Sequence, residues 1–181
     1  MVARFIAGFF AFAALGCGVA TAILQKWYEI TVDGVTTEYG LFQKCVGGTC
    51  SDVSFATISG TCSRDGDEAE TRWMAVKIMA VIGMAMSLVA LVTAASAAKR
   101  FAVARVVGFI FGCIGNAFAG GFAVYFMQYW YFCDTTPCKY TATISSASCS
   151  DGMMYGLYLQ LAATICNFLG LLLAAVALVQ V

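Results

Sequence analysis

The chain has 181 residues, of which 61% are hydrophobic and only 11% charged, with ten basic and ten acidic side chains and no histidine. Soluble domains carry about 25% charged residues, so this composition excludes an ordinary water-soluble protein and indicates lipid as the solvent. The lack of histidine removes the commonest general base and metal ligand, and we expect a single domain with no enzymatic activity, metal or cofactor.

Four apolar segments are long enough to cross a hydrocarbon core about 30 Å thick, which takes roughly 20 helical residues. The predicted spans are residues 5–24, 73–98, 106–130 and 153–181. The apolar run of the second begins at Ile78, and Lys77 lies close enough to its end to reach the headgroups. The first also resembles a cleaved signal peptide, but its apolar run is longer than usual, which favours a retained anchor helix.

The first loop, residues 25–72, has the composition of β-strands. Trp27 to Phe42 is rich in β-branched and aromatic residues around Asp33-Gly34, a turn pair favoured in tight hairpins. Ser51 to Ser59 predicts a further strand. Because three or more strands are stable where a lone hairpin is not, this loop predicts a small antiparallel sheet.

Cys45 and Cys50 enclose Val46-Gly47-Gly48-Thr49, a gap that suits a tight turn between paired strands. A disulfide across it would contribute about 2 kcal/mol through the lost loop entropy. The alternative is a metal or redox site. The four-residue gap and the lack of other ligand types nearby favour a structural disulfide.

Trp27, the run Gly40-Leu41-Phe42, the two cysteines and Arg72 follow one another in this loop. In this order they resemble the claudin and peripheral myelin protein superfamily, and distantly the amastins, with Phe42 where that family has tryptophan. The resemblance implies a claudin-like fold: a membrane all-α four-helix bundle with a small extracellular antiparallel β-sheet, whose first loop ends at the arginine. Relatives of that fold include calcium-channel auxiliary subunits, so it also permits an accessory role.

Charged residues are sorted between the loops. Arg4 precedes the first span, and Lys99, Arg100 and Arg105 lie in the predicted inner loop, residues 99–105, whereas all ten acidic residues lie in the other two loops. The positive-inside rule therefore predicts that both termini are cytoplasmic. We expect the plasma membrane, with the mitochondrial inner membrane or another internal membrane as alternatives. The acidic run from Asp65 to Glu70 lacks the EF-hand spacing, which favours a solvated loop over a calcium site.

Small and polar residues recur at helical spacing along the spans, which permits close helix packing in lipid. The packing residues predicted on the third and fourth spans are Gly108, Gly112, Asn116, Gly120, Gln160 and Asn167. The three amides suit either a polar path for a solute or hydrogen bonds between helices worth about 0.6–2 kcal/mol each. Because the spans contain no carboxylate or histidine, the hydrogen bonds are favoured.

Six of the nine cysteines lie in the first loop and in the second outer loop, residues 131–152, which indicates an oxidising compartment. They are Cys45, Cys50, Cys62, Cys133, Cys138 and Cys149. Each loop holds an odd number, so complete pairing within the chain needs a bridge between the loops. Cys45–Cys50, Cys133–Cys138 and Cys62–Cys149 are the favoured pairs among many connectivities. Alternatively, one cysteine in each loop bonds a partner chain.

These features predict a non-enzymatic integral membrane protein whose disulfide-stapled sheet makes lateral or adhesive contacts. Its expected partners are the lipid bilayer and other membrane proteins, in a homo- or hetero-oligomer, and not nucleic acid. The alternative is an accessory subunit of a larger membrane complex, such as an ion channel or respiratory assembly. A thiol oxidoreductase ranks third, because that class usually needs a Cys-x-x-Cys pair, which the sequence lacks.

Overall fold

The computed structural model describes residues 2–24, 26–32, 34–52, 66–96, 99–125, 149–153 and 155–179. Within these ranges the chain forms four long helices: α1 Val2–Ile23, α2 Gly66–Ala95, α3 Ala102–Tyr125 and α4 Tyr155–Val179. Each is long and apolar enough to cross a membrane. The prediction of four long apolar helices is therefore confirmed.

The second helix begins earlier than predicted. The second span was expected from residue 73, after an acidic loop that ended at Arg72, but α2 begins at Gly66. Arg72 consequently lies in the second turn of the helix.

The connection between α2 and α3 lies earlier in the chain than the predicted inner loop, residues 99–105, because α2 ends at Ala95 and not at residue 98. A 3₁₀ turn spans Lys99–Phe101, and α3 begins directly after it at Ala102. Arg105 is thus a buried residue in the first turns of α3, where its Nη2 donates to the carbonyl of Thr93 at 2.8 Å. Residues 126–130 and 180–181, the ends of the predicted third and fourth spans, lie outside the described ranges.

Five described strands form one antiparallel sheet in the order β4-β3-β2-β1-β5. The strands are β1 Tyr28–Val32, β2 Val35–Tyr39, β3 Gln43–Val46, β4 Thr49–Asp52 and β5 Cys149–Met153. Gly34, Gly47 and Gly48 have φ angles of 77°, 55° and 87°, which glycine adopts without steric cost. The predicted hairpin and the turn at Gly47-Gly48 are confirmed. The further strand begins at Thr49 rather than Ser51, and residues 53–59 lie outside the described part.

Strand β5 was not predicted, because residues 131–152 were assigned to a loop. It pairs with β1 from Tyr28 opposite Met153 to Val32 opposite Cys149. The sequence Cys-Ser-Asp-Gly-Met contains no β-branched residue and has little strand propensity of its own. Its extended conformation therefore depends on hydrogen bonding to the edge of β1.

The chain divides into two compact units, each described by itself. The helical unit comprises Met1–Ala20, Ile78–Ala119 and Leu159–Val181, and the sheet unit comprises Thr21–Lys77 and Gly120–Tyr158. Ala7, Ala11, Ala90 and Ala174 surround the fully buried ring of Phe109 in the helical unit. A Cβ atom at Gly170 would overlap that ring, so glycine at this position lets α4 pack against α3.

Candidate functional site

Strand β4 is exposed along its whole length. All four of its residues are exposed, and in the described residues only β3 pairs with it. Cys45 on β3 and Cys50 on β4 lie opposite each other and form the predicted disulfide, with an S–S distance of 2.08 Å. The bridge therefore fixes this edge strand to its neighbour.

Two exposed valines lie beside the turns of the same sheet. Val35 follows Gly34, and Val46 precedes the turn that leads into β4; their side chains are 54% and 42% exposed. The backbone N–H of Gly47 donates to the carbonyl of Thr36 at 3.1 Å, which ties the second turn to β2. The exposed apolar side chains thus lie next to a turn that is hydrogen-bonded to the neighbouring strand.

Trp27, the first residue of the resemblance motif, is 1% exposed and organises the start of the sheet. Its indole Nε1 donates to the carbonyl of Thr21 at 3.0 Å, and its backbone N–H donates to the carbonyl of Tyr39 at 2.8 Å. The first bond satisfies a carbonyl in the last turn of α1, and the second fixes where β1 begins relative to β2.

The motif residues Gly40-Leu41-Phe42 form the turn between β2 and β3. The backbone N–H of Gly40 donates to the carbonyl of Gln43 at 2.8 Å, which closes the turn. Leu41 is buried, and its carbonyl accepts a hydrogen bond from the indole of Trp73 at 3.1 Å. Phe42 is 39% exposed and lies 5.9 Å from the ammonium of Lys77. The motif therefore places one apolar side chain inside the unit and one on its surface.

Charged groups on the sheet pair locally. The ammonium of Lys26 forms a salt bridge with the carboxylate of Glu38, and the hydrogen bond between them raises the pKa of Lys26 above its ordinary value. The ammonium of Lys44 lies 5.1 Å above the ring of Tyr39, a cation–π distance. These contacts hold three side chains of the sheet in place.

Buried polar side chains join helices in the helical unit. Asn167 on α4 donates from Nδ2 to the hydroxyl of Ser87 on α2 at 3.0 Å. That hydroxyl in turn donates to the carbonyl of Gly83 at 2.8 Å. A second pair joins α4 to α3, where Gln160 donates from Nε2 to Oδ1 of Asn116 at 2.8 Å. This is the arrangement expected if the amides bind helices together.

Small residues of α3 admit these groups. A Cβ atom at Gly108 would lie 2.9 Å from the backbone N of Ala90, and one at Gly112 would lie 3.0 Å from Oδ1 of Asn167. Gly108 therefore approaches α2 and Gly112 approaches α4, so the predicted stripe of small residues packs against two different helices. Gly120, the last member of the stripe, is partly buried in α3.

The remaining cysteines of the predicted set fall largely outside the described residues. Cys62, Cys133 and Cys138 lie in the gaps, and Cys149 is the first residue of β5. The three cysteines within helices, Cys17, Cys113 and Cys166, are partly buried. The pairing of Cys62 with Cys149 and of Cys133 with Cys138 stays a prediction.

Three residues in key contacts were not predicted from the sequence: Trp73, Ser87 as a hydrogen-bonding partner, and Gly115. The ring of Trp73 meets that of Trp27 edge to face at 6.2 Å, and its position at the end of an apolar span was the available signal. A Cβ atom at Gly115 would lie 2.7 Å from the backbone N of Gly83. Gly108 and Gly115 are seven residues apart and so share a helix face.

A scan of protein-family models finds no match to this chain, and a search of curated proteins finds none either.

Proposed function

We propose that this chain is a multi-pass membrane protein whose sheet unit makes lateral or adhesive contacts with another membrane protein. The four long apolar helices support insertion into a bilayer. The observation that carries the contact role is strand β4, exposed along its whole length and fixed to β3 by a disulfide. Exposed strand edges pair readily with other chains, and the covalent clamp removes the disorder that would otherwise oppose pairing.

The hydrogen-bonding direction of β4 follows from its register. Val46 and Thr49 flank the two-residue turn, so they form a hydrogen-bonded pair, and the pairs alternate along the hairpin. The pair of Gln43 with Asp52 is then a non-hydrogen-bonded one, and the N–H of Asp52 points away from β3. Proline at this position would remove an outward donor without breaking the ladder to β3.

Native gel electrophoresis of mildly solubilised membranes tests the proposal with Asp52→Pro and Asp52→Asn. The asparagine variant keeps the backbone donor and removes only the charge, so it is the matched control. We expect the wild type and Asp52→Asn to migrate as assemblies and Asp52→Pro to release monomer. If Asp52→Pro assembles like the wild type, the β4 edge is not the contact.

The second candidate function, an accessory subunit of a larger complex, predicts a different band pattern. A heteromeric band of fixed stoichiometry favours the accessory subunit, whereas homomeric ladders favour contacts between copies. The resemblance to claudin-like proteins in Trp27, Gly40-Leu41-Phe42 and the paired cysteines is compatible with both and distinguishes neither.

A further inference from the structure

Two arginines converge on the end of α2 in the helical unit. Arg105 is 5% exposed and donates from Nη2 to the carbonyl of Thr93 at 2.8 Å and to that of Ser96 at 3.5 Å. Arg4, near the start of α1, donates from Nη1 to the same Ser96 carbonyl, also at 3.5 Å. The ends of three helices therefore bring two guanidinium groups to one carbonyl oxygen.

In the part of the chain that the structure describes, neither of these cations has an anionic partner. The segments of the helical unit contain no Asp or Glu side chain at all. In the described residues, the Nε atoms of both Arg4 and Arg105 are buried without a hydrogen-bond partner. Burying a cation is costly unless an anion compensates it, and carbonyl dipoles alone supply only part of that compensation.

Capping of α2 explains only part of the arrangement. Arginine often binds the last carbonyls of a helix, and the bond from Arg105 to Thr93 fits that role. Capping does not explain why the guanidinium of Arg4 also lies 3.5 Å from the Ser96 carbonyl, to which Arg105 already donates. Nor does it explain the two Nε atoms that are buried without a hydrogen-bond partner in the described residues. Guanidinium groups match the oxygens of a phosphate through paired N–H donors, so the unused donors fit that group.

We propose that Arg4 and Arg105 bind a phosphate group, carried by an anionic phospholipid headgroup or free in solution. The headgroup source rests on the proposed membrane insertion, since basic pockets between helix ends bind anionic headgroups. Arg4 is only partly buried and gives the phosphate access from the surface. Arg100 lies in the adjacent 3₁₀ turn, where its side chain is exposed and its guanidinium lies 4.9 Å from the centre of the Phe101 ring. It is therefore a nearby basic residue that does not belong to the proposed site.

The test uses the full chain, purified and delipidated in neutral detergent. Native mass spectrometry counts retained lipid, and thermal unfolding is followed with added phosphatidylglycerol, phosphatidylcholine or inorganic phosphate. The variants are Arg4→Gln and Arg105→Gln, with Arg100→Gln as the matched control for a basic residue on the same side. Because Arg105→Gln also removes a cap of α2, Arg4→Gln is the deciding variant.

We expect phosphatidylglycerol to raise the unfolding temperature and phosphatidylcholine to leave it unchanged. Loss of one charged hydrogen-bond donor should weaken binding about tenfold or more, in Arg4→Gln but not in Arg100→Gln. An equal rise with inorganic phosphate alone would identify a soluble phosphate as the source. Unchanged affinity in Arg4→Gln, equal effects of the two lipids, or equal losses in Arg4→Gln and Arg100→Gln would each overturn the proposal.

Alkaline carbonate extraction separates this inference from the proposed function. Release of the chain from membranes would overturn the proposed insertion. A chain that stays in the membrane pellet but shows neither anionic-lipid preference nor phosphate binding would overturn only the phosphate site.

Discussion

Single residues decide how closely the backbone of the sheet unit can pack. Trp27 lies against the first turn of α4, where the backbone N–H of Gly156 donates to the carbonyl of Lys26 at 2.9 Å. A Cβ atom at Gly156 would lie 2.6 Å from Cδ1 of Trp27 and 2.7 Å from the Lys26 carbonyl. The Lys26 carbonyl belongs to the backbone and cannot rotate away, so the space at position 156 admits glycine but no larger residue without a shift of the chain.

The substitution Gly156→Ala should therefore lower the free energy of unfolding by about 1–3 kcal/mol, the usual cost of overpacking. Thermal unfolding in detergent measures the loss. Gly121→Ala is the matched control, because nothing lies within 4 Å of a Cβ atom at Gly121 and alanine favours the helix. Equal stability of the two variants would contradict the close approach at Trp27.

Ser87 provides a test of whether the buried amides form hydrogen bonds between helices or line a polar path for a solute. Its hydroxyl bridges α2 to Asn167 on α4. The hydroxyl of Thr164, in contrast, donates at 3.0 Å to the carbonyl of Gln160 in its own helix. If these groups bind helices together, Ser87→Ala should cost about 0.6–2 kcal/mol and Thr164→Val close to nothing. Steric-trap or denaturant unfolding in bicelles measures both. Equal costs would remove the support for hydrogen bonding between helices.

At the scale of elements, a covalent bridge joins the two strands of the hairpin of β3 and β4. The double substitution Cys45→Ala and Cys50→Ala should destabilise this hairpin by about 2 kcal/mol through regained loop entropy. Hydrogen exchange should then speed up in β3 and β4 while β1 stays protected between β2 and β5. Cys113→Ala, in α3, is the control expected to leave the sheet unchanged. Exchange that is unaltered in β4 would show that the ladder alone holds the edge.

The sequence was sufficient for the elements whose pattern is local. Apolar length predicted the four helices, and Asp33-Gly34 and Gly47-Gly48 predicted the turns because tight hairpins need glycine at positive φ. It was insufficient where distant residues decide the structure. Strand β5 exists through pairing with β1, and Trp73 gains its role only because the Leu41 carbonyl lies within reach. The sequence predicted the stripe of small residues on α3, but not that Gly108 packs against α2 while Gly112 packs against α4.

At the scale of the whole molecule, the sorting of charge predicts how the chain is oriented across a membrane. The acidic residues lie in the two segments that contribute strands, residues 25–70 and 131–152, and Arg4 and Arg105 meet at the end of α2. A bilayer with a negative cytoplasmic surface holds the basic end on that side. The positive-inside rule therefore predicts that residues 25–72 and Arg100 lie on opposite sides of the membrane.

Labelling of intact cells with a membrane-impermeant maleimide tests this topology in two variants. Val35→Cys replaces an exposed residue of β2, and Arg100→Cys replaces an exposed residue of the 3₁₀ turn. We expect reagent outside the cell to label Val35→Cys above the wild-type background, and to label Arg100→Cys only after the membrane is permeabilised. The reverse pattern would invert the orientation, and labelling of both without permeabilisation would contradict the single crossing by α2 that is expected between them. Because Arg100→Cys leaves Arg4 and Arg105 intact, its labelling reports sidedness without disturbing the proposed phosphate site.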